Sequence, residues 1–103
     1  MIYFIDKEFQ YALYAPDKNR RWELKEYKAT KEDLDFANSF IEWNNINHGI
    51  QRVDACRDNN GKLLLVELED LNPYLSLLDI SPKLRDKFVK KLKLSLQKLL
   101  DKI

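Results

Sequence analysis

This sequence predicts an α+β domain, a mainly antiparallel sheet of about five strands with two helices packed on one face. Three observations lead there. Short apolar runs of strand length come in pairs around tight-turn residues, and two longer stretches repeat apolar residues every three or four positions. Their order along the chain is strand, strand, strand, helix, strand, strand, helix. With 103 residues there is room for one domain, spanning 1–103, and not for two. A 45% hydrophobic share with two Trp, five Tyr and five Phe is enough for a packed core, which excludes wholesale disorder.

Ile2–Ile5 and residues 8–14 are expected as two strands around Asp6-Lys7. A two-residue turn there would set Phe4 opposite Phe9 and Ile2 opposite Tyr11. Lysine tolerates positive φ poorly, so the turn type stays open. Pro16-Asp17-Lys18-Asn19 has the composition of a loop, and Trp22, Leu24 and Lys25 to Tyr27 suggest a third strand. Thr30 is placed to cap a helix whose first turn carries Glu32, Asp33 and Asp35. Leu34, Ala37, Ile41 and Asn44 fall on one line of it, with Phe40 and Trp43 alongside, and Asn47-His48-Gly49 supplies the stop.

Strands at 50–57 and 62–69 follow, then an apolar stretch from Leu71 to Ile80 expected as loop or short helix. Ser81-Pro82 opens the last helix, an N-cap with proline at the first helical position. Along it Leu84, Phe88, Leu92, Leu96, Leu99 and Ile103 recur at intervals of three or four, a stripe expected to be core. A coiled-coil or partner-binding face is the minority reading, because the repeat is too short to demand one.

Asn60-Gly61 is a strong hairpin signal, since both central residues of a type I′ turn need φ > 0. Counting back from that turn sets Cys56 opposite Leu65, Asp54 opposite Glu67 and Arg52 opposite Glu69. Arg52, Asp54, Glu67 and Glu69 then share one side of the ribbon, with Cys56 beside them as a small buried neighbour. Val53, Ala55, Leu64, Val66 and Leu68 take the other side as a core face. Two carboxylates facing each other across a ladder repel, and a hard dication between their oxygens relieves the repulsion. Magnesium suits such a place because it accepts one or two carboxylates, keeps waters and completes its shell with phosphate oxygens. Arg52 could grip a phosphate by a two-pronged contact. The plain alternative is an ordinary Arg52–Glu69 cross-strand ion pair on a solvated face. Too few Cys or His residues lie nearby for zinc.

The stretch from Arg52-Val-Asp54 through Gly61 to Glu67-Leu-Glu69 and Pro73 resembles the last catalytic hairpin of the ATP-grasp superfamily, which includes D-alanine–D-alanine ligases and glutathione-synthetase-like enzymes. The shared pattern is Arg-x-Asp, twelve residues, then Glu-x-Asn or Glu-x-Glu. Most of the chain follows the order of elements of that family's C-terminal lobe, but only 52–73 is specific. The resemblance implies that Asp54, Glu67 and Glu69 bind magnesium (or manganese) and that Arg52 binds ATP and steadies its transferred phosphoryl group. It implies an ATP-dependent carboxylate–amine (or thiol) ligase working through an acyl phosphate. Glu69 stands where the family often has asparagine. The family's substrate domain and glycine-rich phosphate loop have no counterpart here, so a missing N-terminal lobe or partner chain is expected to complete the site. An exposed apolar face is expected where that lobe docks, and homo-oligomer formation would be one way to cover it.

Two other classes compete with the ligase half-site. A non-catalytic interaction module on the same scaffold needs no nucleotide. Nucleic-acid binding would use the tail: residues 81–103 carry eight Lys/Arg against two Asp, but residues 1–80 carry ten Lys/Arg against fifteen Asp/Glu, and that acidic remainder argues against it. His48 is expected at the surface or in a cap, and Trp22 and Trp43 in the core or at a lobe contact. One cysteine, no signal-peptide pattern and no apolar run of about 18–20 residues predict a cytoplasmic protein without membrane attachment.

Overall fold

The computed structural model describes residues 1–103. Five antiparallel strands, β1 (Ile2–Ile5), β2 (Glu8–Tyr14), β3 (Lys25–Glu26), β4 (Ile50–Arg57) and β5 (Leu63–Glu69), form one open sheet in the order β3-β2-β1-β4-β5. Helix α1 (Lys31–Asn44) separates β3 from β4, and α2 (Pro82–Asp101) closes the chain after a 3₁₀ turn at Leu77–Asp79. No helix is long and apolar enough to cross a membrane.

The helices do not share a face. Strand β1 is central and all four of its residues are buried. Ile2 and Phe4 pack with Ala12, Val53 and the Ala37 and Ile41 of α1. Tyr3 and Ile5 point the other way and pack with Tyr11, Leu13, Ile80 and the Phe88 of α2. Successive side chains of a strand face opposite sides, so an unbroken apolar run such as Ile-Tyr-Phe-Ile needs a cover on each. The one-faced arrangement expected from the sequence overlooked this.

The first hairpin turns on Asp6 and Lys7, both at positive φ (50° and 68°). That left-handed backbone is held from outside the turn. Asp6 Oδ1 accepts from the Gly49 N–H (2.8 Å) and the Ser95 hydroxyl (2.8 Å), while Lys7 Nζ donates to Asn45 Oδ1 (2.8 Å). Phe4 faces Phe9 as expected, but Gln10 bulges out of β2, so Ile2 faces Ala12 rather than Tyr11. Tyr11 instead stacks on Tyr3, ring centroids 4.3 Å apart.

Helix α1 begins at Thr30 with a reciprocal cap: the Thr30 side chain accepts from the Asp33 N–H, and the Asp33 carboxylate accepts from the Thr30 N–H. It stops at Asn45 (φ 51°), two residues before the expected Asn47, because an asparagine in left-handed backbone already ends the helix there. Ser81 caps α2 through the Leu84 N–H. The α2 stripe is core only over its first half. Phe88 is buried and Leu84 and Leu92 half-buried, whereas Leu96, Leu99 and Ile103 are exposed. The residue that meets the sheet in their place is Ser95, drawn down by its bond to Asp6. Trp22 and Trp43 are 73% and 78% exposed, so neither is a core residue.

Candidate functional site

Hairpin β4–β5 carries the candidate residues, and its register follows from two compensating irregularities. The loop is Asn59-Asn60-Gly61, three residues rather than the expected two. Asp58 Oδ1 accepts from the N–H groups of Asn60 and Lys62 (2.9 Å each), and within the loop only Gly61 has positive φ (79°). The Asp58 side chain, by capturing those donors, outcompetes a type I′ turn. Cys56 consequently pairs with Leu64 instead of Leu65, and Leu64 moves to the acidic side. A bulge at Val66 then adds one residue to β5 and restores the count, so Asp54 faces Glu67 and Arg52 faces Glu69. Cys56 is exposed, not a buried neighbour, because β4 and β5 run past the start of β1 and their tip has no strand beside it. For the same reason Leu64, Leu65 and Val66 stay exposed, and of the expected core face only Val53 is fully buried.

Arg52, Asp54, Glu67 and Glu69 thus lie on one face of the sheet, the face that α2 covers further along. The arginine is the hub. Its Nε donates to Asp54 Oδ1 (2.9 Å), and its Nη2 lies 3.6 Å from Glu67 Oε2. Burial pulls the Arg52 pKa down, but the Asp54 carboxylate with its hydrogen bond and the Tyr3 hydroxyl together outweigh it, and the net shift is upward. Glu69 stands apart from this pair. Its Oε1 accepts from the Leu71 N–H (3.1 Å), so it braces the chain leaving β5, and the expected Arg52–Glu69 ion pair does not form. No group of three or more His, Cys, Asp or Glu side chains is gathered closely enough to hold a metal ion. The three-carboxylate cage expected from Asp54, Glu67 and Glu69 is therefore not assembled; two carboxylates share an arginine.

The segment after β5 straps this face. The Tyr3 hydroxyl donates to the Tyr74 carbonyl and the Tyr11 hydroxyl to the Leu75 carbonyl (2.5 Å each). Burial raises both tyrosine pKa values, with the Arg52 charge opposing. Past the start of β1, the ends of β2 and β4 flank an open groove of about 720 Å³, lined in part by Asp54, Lys18, Arg21 and Arg57.

A chain-by-chain comparison with protein-family models, curated proteins and solved structures finds no match.

A second polar cluster escaped the sequence reading. Asp33, taken there only as a favourable charge at the helix start, is buried and accepts from the Tyr27 hydroxyl (2.6 Å), the Thr30 N–H (2.9 Å) and Arg57 Nη2 (2.6 Å). Burial pushes its pKa up, but these donors outweigh burial and leave it lowered. The cluster ties the start of α1 to the end of β4. The visible signal was Asp at the third position after a Thr cap; its partners lie 6 and 24 residues away. Lys18 and Arg21 were also missed, because a loop residue carries no periodicity that would aim it at a strand.

Proposed function

We propose that this chain is the Mg-ATP-binding half of an ATP-dependent carboxylate–amine (or thiol) ligase, completed by a lobe or chain that supplies the glycine-rich phosphate loop and the substrate site. The two glycines here, Gly49 and Gly61, are far too few for such a loop. The observation that carries the reading is the Asp54–Glu67 cross-strand pair with the Arg52 guanidinium held between them. Support also comes from Lys18 and Arg21, which with Asp54 line the adjacent groove, where a polyphosphate would find both cations and metal-binding oxygens.

The donor chemistry fits a two-carboxylate magnesium site: Asp54 and Glu67 would hold the ion, and phosphate oxygens and waters would fill the rest of its shell. When bound, magnesium would neutralise charge on the transferred phosphoryl group. Arg52 would turn from the carboxylates to a phosphate oxygen, exchanging one charge-assisted bond for another. Lys18 and Arg21 would fix the polyphosphate along the groove. Glu69 would act through the backbone, holding Leu71 and the strap that follows.

A second reading is a non-catalytic interaction module, favoured by the ion pairs that already satisfy Asp54 and Glu67 through Arg52. Calorimetric titration of ATP with and without magnesium separates the two. The ligase half-site takes up nucleotide weakly and only with magnesium, and loses it in Asp54→Asn and Glu67→Gln. The module takes up none, and Glu67→Gln leaves its stability unchanged or raised.

A further inference from the structure

The outer sides of α1 and α2 carry opposite charge and unburied apolar residues. Between residues 31 and 44, α1 has four Asp/Glu against Lys31; between 82 and 101, α2 has seven Lys/Arg against two Asp. The basic set is nearly free, since of the α2 lysines only Lys91 has a carboxylate partner, Glu8. On α1, Glu32 and the buried Asp33 pair with Arg57, and Asp35 pairs with Lys31 at the exposed surface, where an ion pair is weak and exchangeable; Glu42 has no ion pair. Phe36, Phe40 and Trp43, at spacings of four and three, follow one side of α1 beyond its buried line; Trp43 is 78% exposed. On α2, Val89, Leu96 and Leu100 run along one side beyond the Phe88–Leu92 line, with Leu96 and Leu100 exposed and Lys90 and Lys93 beside them.

We infer that α2 of one copy docks on α1 of a second copy, lysines against carboxylates and leucines against the Phe36–Phe40–Trp43 strip. Charge selects this pairing. Two α2 helices, or two α1 helices, would set like charges along a shared seam, which opposes association. The two helices also match in reach: the 14 residues of α1 span about 21 Å, and the stretch of α2 from Val89 to Asp101 spans about 20 Å. They lie on opposite faces of the sheet, so no single chain can join them. The contact is therefore head-to-tail, and it either closes into a ring or extends into a chain of subunits. It does not involve the Arg52 site and stands whether or not the ligase reading holds.

Sedimentation velocity on the full chain and on two charge reversals tests this. One variant carries Asp35→Lys and Glu42→Lys on α1; the other carries Lys90→Glu and Lys93→Glu on α2. All four positions are exposed, and circular dichroism checks that both variants fold. The unaltered chain should associate, and each reversal alone should weaken association at least about tenfold, since like charges then face each other. An equimolar mixture of the two should recover it, because each reversed face meets its complement. Trp43 emission should shift to the blue on association and not in either variant alone. Should a reversal fail to fold, Trp43→Ser and Leu100→Gln, both at exposed positions, must each abolish association without loss of helix signal. A chain that stays monomeric at every concentration overturns the inference, as does a mixture that fails to associate. Binding of α2 to anionic vesicles by a chain that remains monomeric would do the same.

Discussion

Replacing Asp33 by alanine should be among the most damaging changes of a charged residue in this domain. The side chain is 3% exposed and accepts three hydrogen bonds that join helix start, β3–α1 connection and hairpin. Alanine removes the carboxylate half of the Thr30 cap, worth about 1 kcal/mol. It also strands the Tyr27 hydroxyl, and one hydrogen bond to a charged acceptor contributes roughly 1.5–3 kcal/mol. Arg57 is 40% exposed and regains water, so its loss adds little. Asp33 also gives up the cost of its own burial, which leaves a net destabilisation of about 2–3 kcal/mol. At about 4–8 °C per kcal/mol for a domain of this size, Tm should fall by roughly 10–20 °C. Urea and thermal unfolding followed by circular dichroism measure both quantities. Asp33→Asn keeps an acceptor for the Thr30 N–H and should fall between the two proteins. A change below about 0.5 kcal/mol in Asp33→Ala, the size of an ordinary surface substitution, would refute the idea that this cluster holds α1 to the sheet.

The pH dependence follows from the same residue. Its folded pKa lies below the ordinary value of 3.8, so its contribution is present in full above that value and is lost as pH falls through it toward the folded pKa; urea midpoints taken from pH 6 downward should therefore drop more steeply, below about pH 4, in the unaltered chain than in Asp33→Asn. Gly61→Ala meets no atom within 4 Å, so its cost should be that of the left-handed backbone alone, about 1–2 kcal/mol by denaturant titration. Phe88→Ala should cost about 3–5 kcal/mol, whereas Leu96→Gln should stay within about 0.5 kcal/mol in a monomeric sample, since only the first is buried. Arg52→Met releases Asp54 and Glu67 from their shared guanidinium, and magnesium should then stabilise the variant against heat more than it stabilises the parent; equal, negligible shifts would remove Asp54 and Glu67 as ion ligands.

Much of the local structure was legible from residues close in the chain. Thr30 and Ser81 as caps, the two strands around Asp6-Lys7, and the extents of β1, β2 and β4 depend on neighbours a few positions away, and all appear where expected. The pairing of Asp54 with Glu67 was also read correctly, although by a route that missed both the longer loop and the Val66 bulge. A hairpin register is a sum over turn and bulges, and two errors of one residue cancelled.

What periodicity could not show is which partner each face would meet. A run of four apolar residues in β1 states that the strand is buried, but only assembly of the sheet put α1 on one side and α2 on the other. The α2 repeat reads as one continuous stripe, yet its apolar residues are covered only as far as Leu92, because the next residue to meet the sheet is Ser95, buried by its bond to Asp6. The charges of Arg52, Asp54, Glu67 and Glu69 were visible from composition and spacing. Their division into an arginine-bridged pair and a glutamate turned to the Leu71 N–H depended on side-chain reach, and Asp33 met Tyr27 and Arg57 only through folding. Sequence determined the elements and their polarity, because caps and periodicities act over a few residues; tertiary structure decided covering, exposure and ion pairing, because those depend on groups brought together from distant parts of the chain.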